Sequence, residues 1–238
     1  MTIVPIAGCT ERLLPRVSAW KGQCPPCYRA VMQEHEKLWD PLTPQEVGPL
    51  FRSSVFPWWI AGGYAIEHFV GRSLRSHDDI DVLVLRKDSS ALRSALSAWD
   101  CWAADPPGRL RPWAPGETLP QHVHDVWCRA ASDGPWRFQI MLDDGDRDHW
   151  RSRRCRCVTK PVSELTWGRA DGVPFLVPEV QLFYKAQAPR PKDVLDLQAS
   201  LPLLSHAQRT WLREAIATAY GQDNAWLRVL DAKPGTAR

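Results

Sequence analysis

"GGYAIEHFVGRSLRSHDDIDV" (62–82) is the stretch on which the reading of the fold turns. Two glycines open it, and Ala65, Ile66, Phe69 and Val70 then recur at helical spacing, which predicts a short helix over 63–70. Gly71 suits its C-terminal cap. "DIDVLVLR" (79–86) is apolar on both faces beyond its acids, the pattern of a strand in the middle of a sheet. "FPWWIAGG" (56–63) reads as a neighbouring strand that ends at the glycines, with Trp58 and Trp59 packed behind that turn.

In an extended strand, residues i and i+2 share a face about 6.6 Å apart. Asp79 and Asp81 therefore point one way, and Asp78 and Ile80 the other. Two carboxylates so placed repel unless a cation sits between them. Oxygen ligands on a rigid strand suit Mg²⁺, which completes its shell with water and substrate phosphate. Gly62 and Gly63 stand where strand becomes helix, so backbone N–H groups can face an anion with no Cβ in the way. Arg72 and Arg75 are placed to clamp further phosphate oxygens. Each feature alone has a plainer reading: a solvated strand end, an ordinary turn, two loop charges, and in His77 a locally packed histidine. Their linkage over one stretch favours a nucleotide–metal site.

Outward from this core, "TPQE" (43–46) is a capping box with Pro44 at the first helical position, predicting a helix to about Arg52. Asp88 is placed to cap a helix over 89–98, and "WDCWAA" (99–104) reads as a strand. "HDVWCRA" and "PWRFQIML" flank "ASDGP", a hairpin signal. "GVPFLVP" (172–178) is the last strand-like piece. Pro178 and Pro191 then open helices over 179–187 and 191–200, and Ser205 caps a longer one to about Tyr220. The expected class is α+β, a mixed sheet flanked by helices and followed by a small helical lobe. Three regions are expected: a poorly patterned extension over 1–31, a sheet domain over 32–177 and a helical lobe over 178–238.

The 238 residues carry a formal net charge of +3, too mild to announce a nucleic-acid protein. No apolar run reaches the roughly 20 residues of a membrane span, and "IAGC" (6–9) has no basic region before it, which argues against export. Seven cysteines without an even framework fit a reducing compartment, so reduced thiols and a cytoplasmic location are expected. "CPPC" (24–27) with Cys155 and Cys157 is a poor zinc pattern. His122, His124 and Asp125 form a weak transition-metal candidate against the commoner satisfied strand histidine. "RSRRCR" (151–156) offers a basic run for a polyanion, although short runs are usually solvated turns.

Gly62-Gly63, Gly71-Arg72, Arg75 and His77-Asp78-Asp79-Ile80-Asp81 together resemble the nucleotidyltransferases of the DNA polymerase beta superfamily. Within it they are similar to the aminoglycoside nucleotidyltransferases of the 2''-adenylylating type and their bacterial relatives. A looser likeness runs through "PEVQLFYKAQAPRPKDVLDL" (178–197) and implies nucleotide contact for Lys185 and Lys192. The resemblance implies Mg²⁺-dependent transfer of a nucleoside monophosphate, AMP from ATP foremost, to a hydroxyl of a small molecule. It gives Asp79 and Asp81 the metal. It also implies a third carboxylate on a later strand, where strand order places Gln139. Asp125, a diagonal neighbour of Gln139 across the hairpin, is favoured for that role, and Asp143 is next along. An aminoglycoside-like acceptor is one option. The rivals are a tRNA or protein acceptor, supported only by the basic run, and a catalytically silent nucleotide-binding module.

Overall fold

Thr43 opens the first helix as its residue type and spacing require. Its hydroxyl accepts from the Glu46 N–H, and the Glu46 carboxylate accepts from the Thr43 N–H at 2.7 Å. The computed structural model describes residues 39–232. The extension over 1–31, with its "CPPC", lies outside the described residues. Among the described residues seven α-helices occur in chain order: α1 (Pro44–Phe51), α2 (Gly62–Val70), α3 (Ser89–Ala95), α4 (Pro178–Lys185), α5 (Pro191–Ser200), α6 (His206–Tyr220) and α7 (Ala225–Asp231).

Ten strands among the described residues make one mixed sheet. They are β1 (Trp58–Ile60), β2 (Asp81–Leu85), β3 (Asp100–Ala104), β4 (Leu110–Pro112), β5 (Asp125–Arg129), β6 (Phe138–Gly145), β7 (His149–Arg151), β8 (Thr159–Pro161), β9 (Thr166–Ala170) and β10 (Val173–Leu176). The order is β4-β3-β5-β6-β2-β1-β10-β9, with β7 pairing to β6 and β8 to β7. The class is α+β. The doubly apolar β2 runs parallel to β6 on one side and antiparallel to β1 on the other.

Strand parity divides the interior. Val82 and Val84 of β2 face a cluster that includes Phe51 of α1, Leu92 of α3 and Ile140 of β6. Leu83 and Leu85 face Met141, Phe183 of α4, Leu212 of α6 and Leu227 of α7. The C-terminal helices therefore share a core with the sheet. Trp58 and Trp59 are both buried, one in each cluster.

Some local expectations need correction. Asp79 precedes β2 instead of lying in it. β1 turns into α2 after Ile60, whose partner is Val82, so no strand lies opposite Asp79 on that side. α3 ends at Ala95, and Asp88 makes no side-chain cap bond; its carboxylate holds Lys87 at 2.8 Å instead. Short or polar pieces escaped the pattern: β4, β7 and β8 have three residues each, and β9 ("TWGRA") is largely exposed. Cys155 and Cys157 are joined in a disulfide, contrary to the reduced thiols expected, their Cα atoms brought to 5.3 Å by the turn between β7 and β8. Cys101 and Cys128 are free and buried, paired across β3 and β5. No helix among the described residues is long and apolar enough to cross a membrane.

Because Leu83 is fully buried between the sheet and the C-terminal helices, Leu83→Ala should lower the unfolding free energy by about 2–5 kcal/mol. Urea denaturation measures it; a loss well under 1 kcal/mol would contradict the central placement of β2.

Candidate active site

Asp81 begins β2 with its side chain on the face that the C-terminal helices cover. Its carbonyl accepts from the Ala61 N–H at 2.8 Å, which fixes the strand end against the start of α2. Gly62 lies directly opposite with φ +66, and a Cβ there would collide with the Asp81 carboxylate. A Cβ on Gly63 would collide with the side chains of His77 and Arg75. The glycines thus admit protein side chains to the helix start. The Gly62 N–H, expected to be open to phosphate, donates instead to Gln181 Oε1 of α4 at 2.8 Å, in a buried bond.

The loop between α2 and β2 is held by Glu67. Its carboxylate accepts from the N–H groups of Leu74 at 2.7 Å and Arg75 at 3.1 Å, and meets His77 Nε2 at 3.0 Å. Burial pushes the Glu67 carboxyl up, but those backbone donors and His77 outweigh it, and the net shift is downward. The His77 ring stacks on Tyr64 with centroids 4.1 Å apart, and its Nδ1 lies 2.9 Å from Arg75 Nη1. The ring thus lies between the two, with Nδ1 placed to accept from Arg75 and Nε2 turned to the Glu67 carboxylate.

Arg75 continues into a buried ionic chain. Its Nη2 lies 3.5 Å from Asp196 of α5. Lys185 Nζ sits 2.9 Å from both Asp196 and Asp193. Arg190 Nε reaches Asp193 at 2.8 Å, and the same carboxylate caps α5 through the Arg190 N–H. Burial works against the Asp193 charge, yet Arg190 and Lys185 hold its carboxyl well below the usual range. Removing one member of such a buried pair typically costs about 3–5 kcal/mol. Lys185, read from sequence as a nucleotide contact, lines the cleft with its ammonium engaged by two carboxylates.

Across the sheet, Asp81 pairs with Gln139, and Gln139 with Trp127; two residues further on, Met141 pairs with Asp125. Asp125 and Gln139 are the expected diagonal neighbours, joined by a 3.0 Å bond from Gln139 Nε2 to Asp125 Oδ1. Asp143, the alternative acid, is fully buried. Its Oδ2 accepts from Trp150 Nε1 and Tyr184 Oη, each at 2.7 Å, and its Oδ1 lies 3.5 Å from Arg153. Arg153 is itself almost wholly covered, lying over the Tyr184 ring at 5.0 Å. Burial opposes its charge, but Asp143, Tyr184, Asp125 and Asp81 outweigh that and strengthen it.

These groups converge on a cleft of about 380 Å³. Of the residues singled out in the sequence, Gly62, Gly63, Arg75, Asp79, Asp81, Lys185 and Lys192 line it. Arg72 is exposed and is not in the lining, and Asp125 stands behind Gln139. Gln181, Tyr184, Arg153, Arg154 and Arg190 also line it, and none was singled out as a nucleotide contact. Of the "RSRRCR" run, read in the sequence as a basic run for a polyanion or a solvated turn, folding covers Arg153, and Arg154, though exposed, lines the cleft. His122 pairs with Asp105 at 2.8 Å, and His124 lies 3.1 Å from Arg86, so the proposed His–His–Asp cluster is divided. A larger hollow, about 660 Å³, lies beyond the opposite end of β1 and is not lined by Asp79, Asp81, Asp125 or Asp143.

Burial first, then the charges of Asp79 and Asp125, push the Asp81 carboxyl up to about 7, against the pull of Lys185 and Arg153. Among the described residues no three His, Cys, Asp or Glu side chains form a ready-made metal cluster. What the cleft offers is two neighbouring carboxylates in mutual repulsion, a donor set that fits Mg²⁺ when phosphate and water complete the shell.

Residues 45–199 match the family model described as aminoglycoside-2''-adenylyltransferase. The chain belongs to this family. It is accordingly a nucleotidyltransferase. No curated protein matches it. Among solved structures it is similar to ANT(2'')-Ia in complex with adenylyl-2''-tobramycin, at 15% identity and TM-score 0.46 over 80% of this chain and 98% of that one. It is also similar to the lincomycin-bound lincosamide antibiotic adenylyltransferase LnuA, at 14% identity and TM-score 0.48 over 69% of this chain and 100% of that one. An antigenic nucleotidyltransferase-like protein from Paracoccidioides brasiliensis is 16% identical, with TM-score 0.42, over 84% of this chain and 94% of that one.

The contact between Gly62 and Asp81 predicts a coupled pair of substitutions. Gly62→Ala should destabilise the native protein strongly, and clearly less in an Asp81→Ala background, where only the strain of positive φ remains, roughly 1–2 kcal/mol. Thermal or urea denaturation of the four proteins reads the coupling; an equal cost in both backgrounds would contradict the steric account.

Proposed function

We propose that this nucleotidyltransferase moves AMP from ATP to a hydroxyl of a small polyhydroxylated molecule, with Mg²⁺ as its cofactor. The observation that carries the reading is the cleft in which Asp79 and Asp81 stand beside the glycine start of α2 and face Arg153, Arg154 and Lys192. Asp79 and Asp81 would hold the metal, which when bound neutralises charge on the phosphate oxygens around the reacting phosphorus. Arg154 and Lys192 attract the triphosphate, and Arg153, held in place by Asp143 and Tyr184, supplies a fixed positive charge.

Asp125 is the proposed base. The acceptor oxygen forms its bond to the α-phosphorus, its proton passes to the Asp125 carboxylate, and the bond to the β-phosphate oxygen breaks with loss of pyrophosphate. Gln139 orients Asp125 through their 3.0 Å bond. Asp143 is unsuited to that role because all three of its contacts are within the core. The family description supports a polyhydroxylated acceptor. With Arg153 and Arg154 in the cleft wall, the basic run no longer argues for a tRNA or protein acceptor.

The test is incubation with Mg²⁺ and each labelled NTP, with and without a library of small hydroxylated acceptors. Pyrophosphate release should require Mg²⁺, be greatest with ATP, and rise with an acceptor; label on RNA or protein, or binding without turnover, would contradict the reading. Asp79→Asn with Asp81→Asn should remove turnover, and Asp125→Asn should lower kcat by about 10²–10⁴-fold with little change in the KM for ATP. Unchanged turnover in Asp125→Asn would exclude it as the base.

A further inference from the structure

The backbone N–H of Gly62, at the start of α2, is taken by a side chain of α4: it donates to Gln181 Oε1 at 2.8 Å in a buried bond. That bond decides which way the Gln181 amide points. A backbone N–H can be met only by an acceptor, so the amide oxygen faces Gly62 and the NH₂ group is the opposite end. Gln181 is 5% exposed and lines the cleft together with Asp79 and Asp81. Its Nε2 makes no hydrogen bond among the described residues, and it is not sealed from solvent either. The donor end of the amide therefore opens on the cleft.

The helix that carries this amide is held firmly. Residues 181, 184 and 185 share one face of α4, at the spacing i, i+3 and i+4, and all three line the cleft. Tyr184 is anchored to Asp143 at 2.7 Å, and Lys185 to Asp193 and Asp196, each at 2.9 Å. Gly62 is also the residue against which the Asp81 carboxylate packs. The Gln181 amide and that carboxylate thus flank the same backbone position. Phosphate oxygens are acceptors, and a donor already fixed in direction meets them without reorganising.

We propose that Gln181 is a phosphate-contacting residue, whose Oε1 takes the place of phosphate at the Gly62 N–H and whose Nε2 donates to a triphosphate oxygen in that group's stead. Helix α4 thereby supplies the donor that the glycine turn withholds. The proposal rests on the nucleotidyl-transfer reading above, in which ATP and Mg²⁺ occupy this cleft.

Gln181→Glu separates the two ends of the side chain. A glutamate oxygen still accepts from the Gly62 N–H but, ionised, donates nothing to phosphate; Gln181→Met removes both contacts. Calorimetry of the full chain with Mg²⁺ and a non-hydrolysable ATP analogue reads the first effect, and thermal denaturation without nucleotide reads the second. Gln181→Glu should melt close to the wild-type protein yet bind the analogue roughly tenfold more weakly or worse. Gln181→Met should also bind weakly and, with the Gly62 N–H left unmet, melt lower. Wild-type analogue affinity in either variant, or a loss confined to the KM for the acceptor, overturns the proposal and leaves the nucleotide site standing. A Gln181→Glu protein that melts as low as Gln181→Met makes its weak binding structural and overturns the proposal likewise. Failure of the wild-type protein to bind the analogue overturns the nucleotide site as well.

Discussion

The carboxylate of Asp81 meets a backbone position that has no side chain, and the architecture of the cleft depends on that contact. A Cβ at Gly62 would occupy the carboxylate's place. Strand β2 and helix α2 can therefore begin side by side, with the Asp81 carboxylate against Gly62. Gln181 closes the arrangement from the C-terminal side by accepting the Gly62 N–H. Three segments distant in sequence, around residues 62, 81 and 181, meet at one point. Burial and neighbouring acids raise the Asp81 carboxyl to about 7, so this meeting point is where a bound cation would gain most.

Around it the protein maintains order with buried ion pairs. Glu67 pins the loop that carries Arg75 and His77, and Arg75 passes the constraint to Asp196. From there Lys185, Asp193 and Arg190 tie α4 to α5. A second buried group, Asp143 with Trp150, Tyr184 and Arg153, fixes the opposite wall. Both groups hold charged side chains rigidly beside the Asp79–Asp81 pair, the arrangement expected where preorganised charge, more than flexible contact, supports a reaction.

Much of the fold was legible because its patterns are local. The Thr43 capping box, the apolar face of 63–70, the doubly apolar β2 and the prolines opening α4 and α5 each declare an element from adjacent residues. The Asp125–Gln139 relation was also legible, because hairpin parity determines which side chains share a face. What stayed hidden was long-range pairing. Nothing local in "RSRRCR" shows that Asp143, ten residues earlier in the chain, draws Arg153 inward, or that Lys185 spends its charge on α5. The likeness at 178–197 covers α4 and α5, but the two carboxylates that engage Lys185 there are partners that only the folded chain reveals.

The central claim is that Asp79 and Asp81 together bind a divalent cation when a nucleoside triphosphate is present. Paramagnetic resonance of Mn²⁺, titrated into the protein with a non-hydrolysable ATP analogue, measures this directly. Loss of the free Mn²⁺ signal at protein-stoichiometric amounts, beyond that caused by the nucleotide alone and abolished in Asp81→Asn, is the predicted result. Equal Mn²⁺ binding by the wild-type and Asp81→Asn proteins would contradict the account.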